Sequence, residues 1–163
     1  MDTYLAIASK RDERRYDTRP LPDDVVERIL DAGRLAGSAS NRQPWHFVVV
    51  ESRERVERLA EAVYAPANLL GAALVVAIQG GSRGFDLGRA AQNMMLAAWN
   101  DGVASCPNGI RDAEAAAGVL GEAPANVLSF GYPARPRDAE RRGAAEWSGR
   151  ANRSPLEDVV TRL

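Results

Sequence analysis

Cysteine and histidine are almost absent from this chain: Cys106 and His46 are the only ones in 163 residues. A single cysteine excludes an internal disulfide and fits a reducing, cytoplasmic setting. One imidazole and one thiol also leave no His/Cys/carboxylate cluster at metal-ligand spacing. A Ser/His/Asp or Cys/His nucleophile system would have to rest on His46, and no GxSxG elbow accompanies it. No apolar run approaches the roughly 20 residues that span a bilayer, and the apolar patch at residues 4–8 is too brief for a signal segment. A dominant charge is missing as well: 21 basic residues face 22 acidic ones, for a net charge of −1, so neither nucleic acid nor an anionic membrane surface is implied as a partner. Lysine is represented by Lys10 alone; the arginines read as ordinary surface charge unless their position argues otherwise. An enzyme this poor in acid–base groups needs a cofactor for the chemistry and supplies the positioning itself.

What is present concentrates in Ser38-Ala39-Ser40-Asn41-Arg42-Gln43-Pro44-Trp45-His46-Phe47, which runs into Val48-Val49-Val50. Carboxamides such as Asn41 and Gln43 carry donors and acceptors without charge, suited to the edge of a neutral heteroaromatic ring. A plain loop-to-strand connection uses Asn, Pro or Ser, and rarely all of them beside a tryptophan.

The chain is long enough for one domain with its own core. Residues 4–9 are weakly helical. A helix over 24–36, with Asp23 as N-cap, places Val25, Val26, Ile29, Leu30 and Gly33 on one face. Residues 47–50 form a buried strand, and a helix capped near Ser52 turns Val56, Leu59 and Val63 inward. Pro66 interrupts, residues 72–78 make a second buried strand, and residues 80–84 a flexible turn that lacks the Lys-Ser/Thr of a P-loop. The strongest helix spans 86–100; its apolar surface exceeds one stripe, so burial nearly all round is expected, with a second subunit as the cover. Gly102 closes it. A short strand at 103–105, a helix over 112–120 and a strand over 126–130 follow. Residues 134–153 are rich in Arg, Ala, Gly and Pro and read as part of an extended arm. Trp45, Met94, Met95 and Cys106 read as packing residues and His46 as structural. Arg135, Arg141 and Arg142 read as surface charge.

Three segments belong together chemically. Lys10-Arg11-Asp12-Glu13-Arg14-Arg15-Tyr16 offers the cations that a phosphate monoester needs. The Ser/Asn/Gln loop offers ring-edge contacts, and Pro107-Asn108-Gly109-Ile110 offers backbone amides beside a glycine that admits close approach. In this order the segments resemble the FMN-dependent nitroreductase family. The basic run is similar to that family's phosphate-binding motif, and residues 36–47 to its Pro-Ser-x-x-Asn-x-Gln-Pro-Trp signature. Asp86-Leu87-Gly88-x-x-x-Gln92-Asn93-x-x-Leu96-Ala97-Ala98 is similar to its central dimer helix; Gly131-Tyr132-Pro133 and Arg153-Ser154-Pro155-Leu156 match its late motifs.

The resemblance implies an α+β fold, a mixed sheet flanked by helices in an intertwined homodimer. It covers most of residues 4–160 and implies that residues 1–163 are a single flavin-binding domain, with 134–163 an extended C-terminal arm. It implies FMN at the subunit interface, NAD(P)H as electron donor and a small organic acceptor such as a nitroaromatic or quinone. By the same resemblance Lys10, Arg11, Asp12 and Arg14 lie at the flavin phosphate, with Arg150 and Arg153 closing over it. Ser38, Ser40, Asn41 and Gln43 flank the ring or come from the other subunit, and Asn108 and Gly109 meet the ring near N5. No catalytic side chain is implied, because a backbone N–H near N5 or O2 suffices to stabilise reduced flavin. The chain departs from the pattern at Asp12, where serine is usual, at Gly37, where proline is common, and in lacking a long excursion before the central helix. Two other readings are an FMN-storage or sensing protein without turnover and a flavin-cleaving relative.

Overall fold

Apolar periodicity sets where each element buries its face. The computed structural model describes residues 1–80 and 84–163; Gly81, Ser82 and Arg83, most of the turn expected over 80–84, lie outside the described residues. The helices are α1 (Thr3–Ser9), α2 (Asp23–Arg34), α3 (Arg53–Glu61), α4 (Pro66–Leu70), α5 (Gly84–Asn100), α6 (Ala113–Leu120), α7 (Ala144–Gly149) and α8 (Leu156–Val159). The strands are β1 (His46–Val49), β2 (Leu74–Gln79), β3 (Ala104–Asn108) and β4 (Asn126–Gly131).

Packing divides the chain into two compact units: residues 11–137, and residues 1–10 together with 138–163. The larger holds the sheet, in the order β1-β2-β4-β3 with each adjacent pair antiparallel. A parallel component comes from a single bridge between Asp12 and Ser105 at the free edge of β3.

Alternation along β2 and β4 sends successive side chains to opposite faces. Leu74, Val76, Ile78, Leu128 and Phe130 pack with α2 and α5 through Ile29, Leu87, Met94 and Ala98. Val75, Ala77 and Val127 pack with α3, α4 and α6 through Leu59, Leu69 and Ala116. Helices on both faces of one sheet make the α+β architecture. Gly33 is required where α2 meets α5 and β1: a Cβ there would stand 2.8 Å from Met94 Cγ and 2.9 Å from Phe47 Cζ. Trp45, Met94, Met95 and Cys106 are all in or against the core, as expected.

Several boundaries move for identifiable reasons. Pro22, rather than Asp23, occupies the N-cap of α2, and Asp23 and Asp24 fall in the first turn, where negative charge complements the helix dipole. Pro66 starts α4 instead of breaking the chain, since proline at the first helical position loses no hydrogen bond. β3 continues through Pro107 to Asn108, which an edge strand tolerates. Gly102 closes α5 as expected, in the left-handed region at φ 72°. Within the single chain α5 buries Leu87, Ala90, Met94, Met95, Ala98 and Trp99, while Phe85, Gly88, Arg89 and Gln92 are exposed.

In the smaller unit α1 is capped by Asp2, whose carboxylate accepts from Leu5 N–H at 3.0 Å. The residues read as an arm carry α7 and α8. The Trp147 indole N–H donates to the Ala139 carbonyl at 2.7 Å, and Arg142 lies over the Trp147 ring.

Candidate active site

The loop after α2 is held in a conformation that its residues do not favour. Ser40 (φ 53°), Asn41 (φ 51°) and Gln43 (φ 48°) all occupy the left-handed region. For residues with a Cβ this costs on the order of 1 kcal/mol or more each and persists only where surrounding contacts enforce it. The contacts are present. Ser38 Oγ accepts from Gln43 N–H at 2.8 Å, and Ser38 O accepts from Asn41 N–H at 3.0 Å. The buried carboxylate of Asp86, on α5, accepts from Ala39 N–H at 3.3 Å. Behind the loop, Gly80 at φ 148° lies against the Pro44 carbonyl, where no Cβ fits. Gly37, which replaces the more common proline, leaves room for the Arg89 guanidinium. The outcome is a rigid loop whose Ser40, Asn41 and Gln43 side chains face solvent.

The basic run is extended. Glu13 N–H donates to Ser105 O at 3.1 Å, Asp17 N–H to Tyr132 O at 2.8 Å, and Ala134 N–H to Arg15 O at 3.0 Å. Extended backbone projects alternate residues to opposite sides, so Arg11, Glu13 and Arg15 stand apart from Asp12 and Arg14. Glu13 and Arg15 line a cavity of about 410 Å³ with Arg135 and Arg137; Arg137 Nη2 donates to Glu13 Oε2 at 2.9 Å. The sequence pattern does not mark Arg15, Arg135 and Arg137 as a group, because the pairing that joins them spans more than a hundred residues. Arg14 is exposed and makes no ion pair among the described residues.

At the end of β3 the Asn108 side chain turns inward. Its Nδ2 donates to Cys106 O at 3.0 Å, Val127 O at 3.1 Å and Ser129 Oγ at 3.1 Å, and its Oδ1 accepts from Asn68 Nδ2 at 2.9 Å. Ser129 Oγ in turn lies 3.0 Å from the Tyr16 hydroxyl. Burial pushes the Tyr16 hydroxyl above the ordinary tyrosine range, against the Ser129 hydrogen bond that lowers it. This network holds Asn108 inside, and the Gly109 carbonyl accepts from Tyr64 N–H at 3.2 Å. Gly109 is exposed there, with the largely exposed Tyr64 ring beside it: a Cβ at Gly109 would meet Tyr64 Cδ2 at 3.3 Å.

Of the remaining residues read as phosphate contacts, Lys10, Arg150 and Arg153 belong to the smaller unit. Lys10 caps the end of α1, Arg150 caps α7, and Arg153 is exposed immediately after Asn152, the fourth described non-glycine residue with positive φ (49°). Among the described residues no group of three His, Cys, Asp or Glu side chains could hold a metal ion, and no helix is long and apolar enough to cross a membrane.

Comparison with known proteins places this geometry among relatives. The family model described as the Nitroreductase family matches residues 7–80. A Methanothermobacter thermautotrophicus protein with the provisional name NADH dehydrogenase/NAD(P)H nitroreductase is 33% identical over 150 residues, spanning 82% of this chain and 78% of the relative. A nitroreductase family protein of Clostridium difficile superposes with a TM-score of 0.80 at 23% identity, over 99% of this chain and 98% of that one. A provisionally named nitroreductase of Desulfovibrio desulfuricans, solved in complex with FMN, superposes with a TM-score of 0.77 at 23% identity, over 100% and 98% of the two chains.

Proposed function

The chain belongs to the nitroreductase family of oxidoreductases, and on that premise we propose that it is an FMN enzyme that passes electrons from NAD(P)H to a small organic acceptor. The observation that carries this reading is the strained loop: three left-handed, non-glycine residues present a hydroxyl and two carboxamides to solvent at positions 40, 41 and 43. Backbone strain of this kind concentrates at ligand sites, where a fixed geometry is worth its cost.

The residues fit the cofactor. Asn41 and Gln43 each offer a donor and an acceptor to a heteroaromatic edge. The run offers cations for a phosphate on either side of its backbone: Arg14 on one, and Arg15 with Arg135 on the cavity side. Because Asn108 is buried with its amide fully engaged, what the β3 end offers a ligand is the backbone at exposed Gly109, a fixed dipole aimed without reorganisation. The Asp12 backbone anchors the run to Ser105.

FMN held by these residues would supply the two-electron redox chemistry that links a hydride donor to the acceptor. The protein holds the ring edge with Asn41 and Gln43 and stabilises developing negative charge with main-chain amides. No side chain has to exchange a proton. The exposed stripe of Phe85, Gly88 and Gln92 on α5 supports a homodimer, in which a second copy covers this face and completes the site.

Fluorescence titration of FMN against the wild type, Arg14→Ala and Arg15→Ala tests the reading. A charge-assisted phosphate contact contributes about 1.5–3 kcal/mol, so the variant on the phosphate's side of the run should bind FMN about tenfold or more weakly while its melting curve stays unchanged, and the other should bind as the wild type does. Wild-type affinity in both variants would reject the phosphate assignment.

A further inference from the structure

Residues 62–64, which follow α3, dock on residues 109–111, which follow β3. Val63 and Ile110 form an antiparallel bridge. Around it Tyr64 N–H donates to Gly109 O at 3.2 Å, and Arg111 N–H donates to Ala62 O at 2.8 Å. Ala62 and Val63 are buried with α3, α4 and α6, on the sheet face opposite α5. Asn68, in α4, holds Asn108 from inside. The backbone on both sides of Tyr64 is therefore tied to the end of β3.

The Tyr64 side chain leaves this anchor on the outer side. Val63 is 1% exposed, whereas Tyr64 is 73% exposed. The ring lies against the main chain of Gly109: a Cβ there would stand 3.3 Å from Tyr64 Cδ2 and 3.7 Å from Cε2. Glycine lets the ring edge approach the strand end this closely. An aromatic ring on an anchored backbone is a prepared contact surface, because tyrosine is large and stiff and loses little freedom when a molecule stacks on it.

We propose that Tyr64 is a specificity-determining residue of the flavin site: its ring is the wall against which a planar aromatic acceptor rests beside Gly109. The inference rests on the flavin reading, which assigns the Gly109 backbone to the cofactor, and adds to it a preference for aromatic over saturated acceptors. The preference follows from ring–ring contact. Offset or edge-to-face aromatic pairs gain about two- to tenfold in affinity beyond the area they bury. A saturated ring of the same size gains the area alone.

The test is a binding measurement on the FMN-loaded full chain with the flavin oxidised, so that no turnover enters. Two probes of equal charge, 4-fluorobenzoate and 4-fluorocyclohexanecarboxylate, are titrated by ligand-observed fluorine NMR. The wild type should favour the aromatic probe, and Tyr64→Ala should reduce the ratio of the two affinities about fivefold. Tyr64→Phe keeps the ring and should keep the ratio. Should Tyr64→Ala fail to fold, Tyr64→Leu, bulky but without a ring, takes its place with the same expected loss. Absence of saturable 4-fluorobenzoate binding, a wild-type ratio in the ringless variant, or a reduced ratio in Tyr64→Phe would each overturn the assignment. FMN affinity is measured alongside: if it falls in the ringless variant while the ratio holds, the ring serves the cofactor and the proposal is wrong. A chain that retains no FMN rejects the flavin reading and this inference with it. A chain that retains FMN without the Tyr64 dependence rejects this inference alone.

Discussion

The Asn68 side-chain amide donates to Asn108 Oδ1 at 2.9 Å, tying α4 to the last residue of β3 inside the core. Both residues are buried. The bond completes a chain that runs through Ser129 to the Tyr16 hydroxyl and fixes the strand end that leads to exposed Gly109. Replacing Asn68 with Ala leaves the Asn108 carbonyl oxygen buried and unpaired, which costs about 1–3 kcal/mol. Urea unfolding of Asn68→Ala should show that loss at an unchanged m-value. A stability equal to wild type would mean that water or a rearrangement repairs the network.

Tyr16 gives the same network a pH signature. Burial raises its pKa in the folded state, whereas the unfolded chain titrates near the usual value of about 10. The neutral hydroxyl is therefore favoured by folding, and its contribution is complete below pH ~10. Above that the unfolded state loses its proton first, and stability falls by up to about 1.4 kcal/mol per pH unit until the folded-state pKa is reached. Tyr16→Phe should be somewhat less stable at neutral pH and should lose stability less steeply above pH ~10. Parallel slopes for the two proteins in that range would contradict the burial argument.

Gly33 and Gly118 both lie inside helices, and the structure assigns opposite signs to their replacement by alanine. Alanine favours a helix over glycine by about 1 kcal/mol. At Gly118, exposed on α6, no described neighbour opposes that gain, so Gly118→Ala should raise stability by about 0.5–1 kcal/mol. At Gly33 the new methyl meets Met94 and Phe47 in the core, and overpacking of about 1–3 kcal/mol outweighs the propensity. Thermal unfolding of the two variants should move in opposite directions; a stabilised Gly33→Ala would show that the α2–α5 contact has slack.

Much of this architecture is legible in the sequence because it is written in local periodicity. The spacing of Leu87, Ala90, Met94 and Ala98 announces α5, and the run at residues 74–78 announces β2. The parts that are not legible depend on pairing across long distances. The basic run has no apolar period, so its extension along Ser105 and Tyr132, and with it the gathering of Arg15, Arg135 and Arg137, leaves no local mark. Asn108 reads as an outward loop residue when β3 is taken to end at Ser105. Three more strand residues reverse that, since register then turns its side chain toward Ser129. Asn41 at positive φ suits an asparagine, while the same conformation at Ser40 and Gln43 is imposed by Ser38 and Asp86 and has no composition signal.

The strained loop should show a trade between stability and binding. Asn41→Gly removes a left-handed Cβ and should keep or raise the melting temperature. The same change deletes the carboxamide assigned to the flavin edge, and one hydrogen bond of about 1 kcal/mol corresponds to a roughly fivefold weaker FMN affinity. Unaltered affinity with altered stability would separate the strain of this loop from any role in cofactor binding.

An anaerobic titration of the FMN-loaded protein with NADH and with NADPH, followed by visible absorbance, tests the central claim most directly. The flavin band should bleach with about one equivalent of at least one nicotinamide and return when a quinone or nitroaromatic is added. A protein that retains no FMN, or one whose bound flavin stays oxidised under excess of both donors, would contradict the account.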